Sequence, residues 1–259
     1  VAGTCTLTEQ LEMDVLGYEH LSKEFGTPKK PDGLKVDIPM LDTVFYYTLR
    51  LGEAMHPYYI VFGRANAKSI NAMYFDANGD GVIAKEEAVP LTYFFDFDSS
   101  RKTDFWFSTP ASPLWAELQY KKADGTTYAK KVAFYVRAGS SQSWEDTKGS
   151  FETYLTVRPS TWFIGEVPAA GDRVMKAAVV DGDMNGIFND QGKDFLLVDS
   201  NYDGRFDWKK EKTAIGGSGI SGLEPDGKKA KLIPYVAAWP QKLVLAPKGT
   251  NPDPAQLEQ

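Results

Sequence analysis

Three times along this chain, oxygen-bearing side chains fall on alternate positions and run into a glycine: Asp76-Ala-Asn-Gly-Asp-Gly81, Asp181-Gly-Asp-Met-Asn-Gly186 and Asp199-Ser-Asn-Tyr-Asp-Gly204. This pattern restricts the backbone more than any other feature of the sequence. Side chains from the first, third and fifth positions reach a common centre only where the chain curls tightly. The glycine at the sixth position supplies the left-handed conformation that such a curl needs. In the first loop Val82 offers its carbonyl from the seventh position, Ile83 is apolar at the eighth, and Glu87 stands at the twelfth. There a bidentate carboxylate closes a calcium shell, so Asp76, Asn78, Asp80, Val82 and Glu87 form a complete candidate set.

The second loop offers Asp181, Asp183, Asn185 and the Ile187 carbonyl, with Gly192 at its twelfth position. Asp190 and Asp194 are therefore its candidate closing acids. The third offers Asp199, Asn201, Asp203 and the Arg205 carbonyl; Lys210 is twelfth, leaving Asp207 or Glu211 to complete it. Because these two loops lie close in sequence, ligands shared between them are expected. A plain Asp-Gly hairpin turn, the expectation at Asp124-Gly125, requires none of the additional oxygens.

The flanks do not read as helices. Asn71-Ala-Met-Tyr-Phe75 precedes the first loop and Phe195-Leu-Leu-Val198 the third, both favouring strands, and Pro90 would stop a helix leaving Glu87. A calcium sensor works by opening two helices, so these are EF-hand-like loops held between strands, with a stabilising role. Short runs suited to strands recur from Val36 to Leu245, among them Val44–Leu51, Tyr58–Phe62, Leu91–Phe97, Leu114–Tyr120, Tyr128–Val136, Phe151–Val157, Trp162–Val167 and Val174–Val180. Aromatics at 13% fit the same reading. The expected fold is mainly β, with one or two antiparallel sandwich-like units.

One helix is expected at the start, from the spacing of Leu7, Leu11, Val15, Tyr18, Leu21 and Phe25 before Gly26 and Pro28. The expected divisions are residues 1–30 as a helical arm and connector, 31–150 and 151–246 as β-rich units, and 247–259 as a Pro-rich tail. The first β-rich unit carries one loop and the second carries the pair. The tail is expected to dock, with a neighbouring copy as one partner.

Net charge is −6, from 35 acidic and 29 basic residues, and no basic stripe with interleaved aromatics marks a nucleic-acid surface. No apolar run reaches the length of a membrane span. A single cysteine, Cys5, excludes an internal disulfide. Weak calcium sites fill where calcium is abundant. That points to a periplasmic, cell-surface or extracellular location; the start shows no basic stretch followed by an apolar one, so Val1 is expected to be a mature terminus left by signal cleavage.

The paired loops Ala177-Ala-Val-Val-Asp-Gly-Asp-Met-Asn-Gly-Ile-Phe-Asn-Asp190 and Asp194-Phe-Leu-Leu-Val-Asp-Ser-Asn-Tyr-Asp-Gly-Arg-Phe-Asp207 resemble those of poorly characterised exported bacterial envelope proteins of planctomycete and acidobacterial type. Tyr47–Gly52, Tyr59–Phe62 and Met73–Gly81 resemble their preceding region. The resemblance covers residues 43 to 90 and 174 to 211, and implies export and calcium but no activity. Some such proteins carry thioredoxin-like domains; this chain has no Cys-x-x-Cys, so that function does not carry over.

No nucleophile elbow, phosphate loop or His-Glu-x-x-His is present, and His20 and His56 have no third metal-type residue spaced to join them. Asp96, Asp98, Asp104, Glu117 and Glu152 lie near Trp106, Trp115 and Trp144, which could stack on sugar rings, although 35 acids make such neighbourhoods common and core packing is the ordinary role of tryptophan. The expected function is a secreted or cell-surface structural or adhesive protein that binds calcium and assembles with copies of itself. The alternative is a carbohydrate-binding module or a polysaccharide-acting enzyme.

Overall fold

Leu114-Trp-Ala-Glu-Leu-Gln-Tyr-Lys121 shows how this sequence builds structure, since Leu114, Ala116, Leu118 and Tyr120 are buried while the residues between them face outward. Such alternation places one face of a strand on a core and the other in solvent. The computed structural model describes residues 3–11, 23–24, 26–67, 69–100, 102–143, 152–168, 173–217 and 232–258.

Among these, the first strands are β1 (Gly3–Thr6), β2 (Thr8–Gln10), β3 (Lys23–Glu24), β4 (Lys35–Asp37), β5 (Thr43–Leu51) and β6 (His56–Arg64). There follow β7 (Ala72–Phe75), β8 (Val82–Ala84), β9 (Leu91–Asp98), β10 (Thr103–Pro110), β11 (Leu114–Lys121) and β12 (Thr127–Ser143). The last are β13 (Glu152–Pro159), β14 (Trp162–Pro168), β15 (Val174–Val180), β16 (Phe195–Val198), β17 (Lys212–Ala214), β18 (Leu232–Tyr235) and β19 (Lys242–Pro247). One helical turn, α1 (Pro254–Leu257), and a 3-10 turn at Lys85–Glu87 complete the regular structure. The protein is mainly β, as the short turn-bounded runs predict.

Two compact units divide the chain. One comprises Val1–His20, Leu118–Val132 and Pro159–Gln259; the other comprises Leu21–Glu117 and Ala133–Arg158. Contacts thus group the chain in interleaved segments. The Gly/Ser-rich stretch Gly139–Ser143 is the end of β12, where Gly139 pairs with Phe107 and Ser140 with Trp106. Gly139 has no room for a β-carbon because the Tyr154 ring occupies that space.

The unit containing the first loop holds an antiparallel sheet ordered β5-β6-β7, a parallel pair β4-β8, and a sheet ordered β3-β13-β12-β10-β9 with β11 on β12. Tyr58 through Phe62 of β6 are buried on both faces, as expected of a central strand. Leu34, Tyr46, Tyr59, Val61, Tyr74 and Ile83 form one apolar cluster there. The other unit holds sheets ordered β1-β19-β18 and β17-β16-β15-β14-β2. Its core includes Phe163, Phe188 and Trp239, packed edge to face with centroids 5.0 to 5.9 Å apart.

The N-terminal helix expected over residues 7–25 is corrected where the structure describes it. Thr8–Gln10 pair with Trp162–Ile164 and Lys23–Glu24 with Leu155–Thr156, so both ends are strand. Sheet edges offering backbone partners outweigh a helical spacing of apolar residues, because a short helix draws most of its stability from packing. Residues 12–22 of that expectation lie outside the described residues. The tail docks on its own unit: Glu258 accepts from the Ala123 N–H at 2.8 Å, and Asp253 caps α1 by accepting from Ala255 N–H at 3.0 Å.

Candidate metal centres

Each acidic loop leaves a strand directly. Asp76 follows β7, Asp181 follows β15 and Asp199 follows β16. Each returns to pair with the strand it left: Tyr74 bridges Ala88, Val180 pairs with Phe195, and Leu197 pairs with Lys212. These are strand–loop–strand connections, so no helix stands ready to swing.

One hydrogen-bond plan recurs in all three. The first-position carboxylate accepts from the N–H groups of the fifth and sixth residues. For Asp76 the donors are Asp80 and Gly81, both at 3.1 Å. For Asp181 they are Asn185 at 3.3 Å and Gly186 at 2.7 Å. For Asp199 they are Asp203 at 3.1 Å and Gly204 at 3.0 Å. The fifth side chain then accepts from the seventh N–H: Asp80 from Val82, Asn185 from Ile187 and Asp203 from Arg205, at 2.7 to 2.8 Å.

The glycines at the sixth position have φ of 75°, 80° and 81°, as the curl demands. The fourth position is left-handed too. Gly79 occupies it in the first loop, but Met184 and Tyr202 hold φ of 61° and 60° in the others. The eighth position anchors each loop, since Ile83, Phe188 and Phe206 are all buried.

The closing acid follows the same plan at a variable spacing. Glu87, twelfth, accepts from Ala84 N–H at 3.1 Å and from the backbone of Ala77. Asp194, fourteenth, accepts from Gly182 N–H at 2.9 Å and Asp190 N–H at 2.6 Å. Glu211, thirteenth, accepts from Ser200 N–H at 2.8 Å and Asp207 N–H at 2.9 Å. In every loop the closing carboxylate bonds the second residue and a residue at the ninth or tenth position. Each also immediately precedes the residue that pairs back onto the entering strand.

Asp190 and Asp207 sit differently. Asp190 accepts from the Asn185 amide at 2.6 Å. Asp207 caps its own turn by accepting from Lys209 and Lys210 N–H groups, which hold its carboxyl below the usual range. The expectation that the second and third loops share ligands is also corrected. Asp194 and Asp199 stand at opposite ends of β16, roughly 17 Å apart at about 3.3 Å per residue. One ion cannot touch both.

Asp181, Asp183 and Asp194 each bring an oxygen within 4.8 Å of the others'. This group can hold a metal ion. Asp181 and Asp194 are buried, and Asp183 Oδ1 is a buried oxygen without a hydrogen-bond partner. Asp183 Oδ2 accepts from Lys193 at 2.8 Å, at the exposed rim. Burial raises the Asp194 carboxyl to about 7 against the opposing pull of Gly182 and Asp190 N–H groups, with repulsion from Asp183 and Asp190 adding to it. Burial and the charge of Asp194 raise Asp181 well above the carboxylate range. In the first loop burial raises Asp76, and burial followed by the charges of Asp76 and Asp80 raises Glu87.

Asp124-Gly125 provides the contrast. Asp124 accepts from Thr126 N–H and hydroxyl, Gly125 has φ of 85°, and no further oxygens gather. His56 contacts the Gly79 carbonyl through Nε2 at 2.7 Å. Asp96 and Asp98, grouped with tryptophans in the sequence, accept from their local backbone at Phe97 and Ser100. Trp162 and Trp239 are core residues, and Trp144 lies outside the described residues. Comparison with protein-family models, curated proteins and solved structures found no match.

Proposed function

We propose that this chain binds three calcium ions, one in each loop, and that the ions clamp antiparallel strands of a protein working outside the cytosol. The observation that carries this reading is the single hydrogen-bond plan repeated around Asp76, Asp181 and Asp199. A turn needs no such plan, whereas an ion with six to eight oxygen ligands does. The donors are all hard oxygens, which suits calcium over softer metals. Each loop carries three carboxylates in its sequence, Asp76, Asp80 and Glu87; Asp181, Asp183 and Asp194; Asp199, Asp203 and Glu211, and among the described residues the second set brings its oxygens within 4.8 Å of one another. A divalent cation removes most of the mutual repulsion in each set. The buried Asp183 Oδ1, which has no hydrogen-bond partner, fits a bound cation.

The role is structural, in sandwich-like units of the cell surface, periplasm or medium, where calcium is plentiful enough to fill such loops. Strand β9 favours assembly or adhesion over an isolated module. It is the edge of its sheet, with Tyr93, Phe95 and Phe97 40 to 60% exposed on one face and Phe94 54% exposed on the other. These exposed aromatic rings support the second reading, a glycan-binding surface. Calorimetric titration of metal-free protein tests the calcium reading directly. Three calcium ions per chain are expected, with magnesium far weaker; fewer than one ion per chain refutes it.

A further inference from the structure

A second site lies away from the loops, on the sheet that β9 edges. A concave space of about 290 Å³ is lined by Phe94, Thr109, Tyr135, Arg137 and Arg158. That volume is at the low end for small-molecule sites and suits one ring unit. In a chain of net charge −6, this lining contains two guanidiniums and no carboxylate among the described residues.

Arg137 is already oriented. Its guanidinium lies over the Phe107 ring at 3.6 Å from the centroid, a stacking that holds the plane while leaving the N–H edge free to donate. Phe107 in turn meets Phe105 at 5.9 Å and Tyr154 at 6.2 Å. Phe94 is 54% exposed and Tyr135 37%, which leaves two ring faces open beside the cations. The nearest acid along β9, Asp96, turns to its own backbone at Phe97.

A planar guanidinium matches a carboxylate in two parallel hydrogen bonds. Aromatic faces take the apolar face of a sugar ring, and the Thr109 hydroxyl can serve a ring hydroxyl. We propose that this cleft binds a carboxylated sugar unit of an acidic glycan, with Arg137 and Arg158 holding the carboxylate and Phe94 and Tyr135 flanking the ring. This deepens the glycan reading of the β9 surface and does not rest on the calcium loops.

The test is calorimetric titration of the full chain, in calcium, with a short oligomer of a hexuronic acid. The neutral hexose oligomer of the same linkage, inorganic phosphate and an acidic peptide serve as competing probes. Saturable binding of the uronide, at least tenfold tighter than the neutral oligomer and weakened at least tenfold by Arg158→Gln, is the expected result. Arg158→Lys, which keeps the charge and loses the fork, should still weaken it about threefold or more. Unchanged thermal melting and calcium uptake of both variants exclude a folding defect. Absent uronide binding, or binding indifferent to both variants, overturns the proposal. Equal binding of the neutral oligomer overturns it while leaving the glycan reading intact. Tighter binding of phosphate or peptide at the same residues replaces the sugar with another anion and overturns it also.

Discussion

At the residue scale, the sixth-position glycines separate conformation from space. Gly204 has φ of 81° and nothing near its absent β-carbon, while Gly186, at 80°, faces the Leu118 side chain. Gly204→Ala should therefore cost about 1 to 2 kcal/mol through conformation alone. Gly186→Ala should cost roughly 3 kcal/mol, overpacking included. Equal losses in chemical denaturation would show that the neighbour does not matter.

The closing acid of the second loop allows a test in two states. Asp194→Asn keeps one acceptor oxygen but turns an amide NH2 onto a backbone N–H that Asp194 now satisfies. It should therefore lower the melting temperature more in calcium than in metal-free protein, where relief of the repulsion from Asp183 and Asp190 offsets part of the lost bond. The pH dependence follows from the same group. Its folded pKa of about 7 lies above the ordinary carboxylate value, so the folded state holds its proton more tightly than the unfolded chain. Stability of the metal-free protein should then be greatest near pH 4 and fall as pH rises to about 7. Asp76, Glu87 and Asp181 are shifted in the same direction. In saturating calcium the trend should reverse across that window, because protons compete with the metal. Melting curves at pH 5 and pH 7.5, with and without calcium, check both signs.

At the scale of elements, β16 is the informative strand. It is four residues long, and a candidate centre sits at each end. Asp181→Asn should remove one ion from the titration and leave the Asp199 loop filled. Simultaneous loss of two ions would mean shared ligands and contradict the strand geometry. Closing acids at the twelfth, fourteenth and thirteenth positions show why a fixed spacing identifies only the first loop. The readable signal is the acid just before the chain pairs back, at Glu87, Asp194 and Glu211. Most strand positions were legible from alternation and turn residues. The N-terminal segment was not, because Thr8–Gln10 and Lys23–Glu24 become strand through partners more than 130 residues away.

At the scale of the molecule, calcium withdrawal should be felt globally. Calcium at about 100 times its Kd stabilises a folded protein by about 2.7 kcal/mol per site. Loss of even one site should lower the melting temperature by about 5 to 10 °C for a chain of this size. Differential scanning calorimetry with and without chelator measures this, and an unchanged transition would remove the metal from any structural role.

What the sequence alone determined was local: strand after strand, and the first six positions of each loop. Those follow from side-chain alternation, turn residues and the conformational freedom of glycine, all acting over a few residues. Only the tertiary structure decided that Asp194 and Glu211 bond back across the second and third loops, that those loops sit at opposite ends of β16, and that Arg137 and Arg158 share a cleft with Phe94. Each depends on strand pairing between distant segments, which is set by the burial of whole sheets and not by any neighbouring residue.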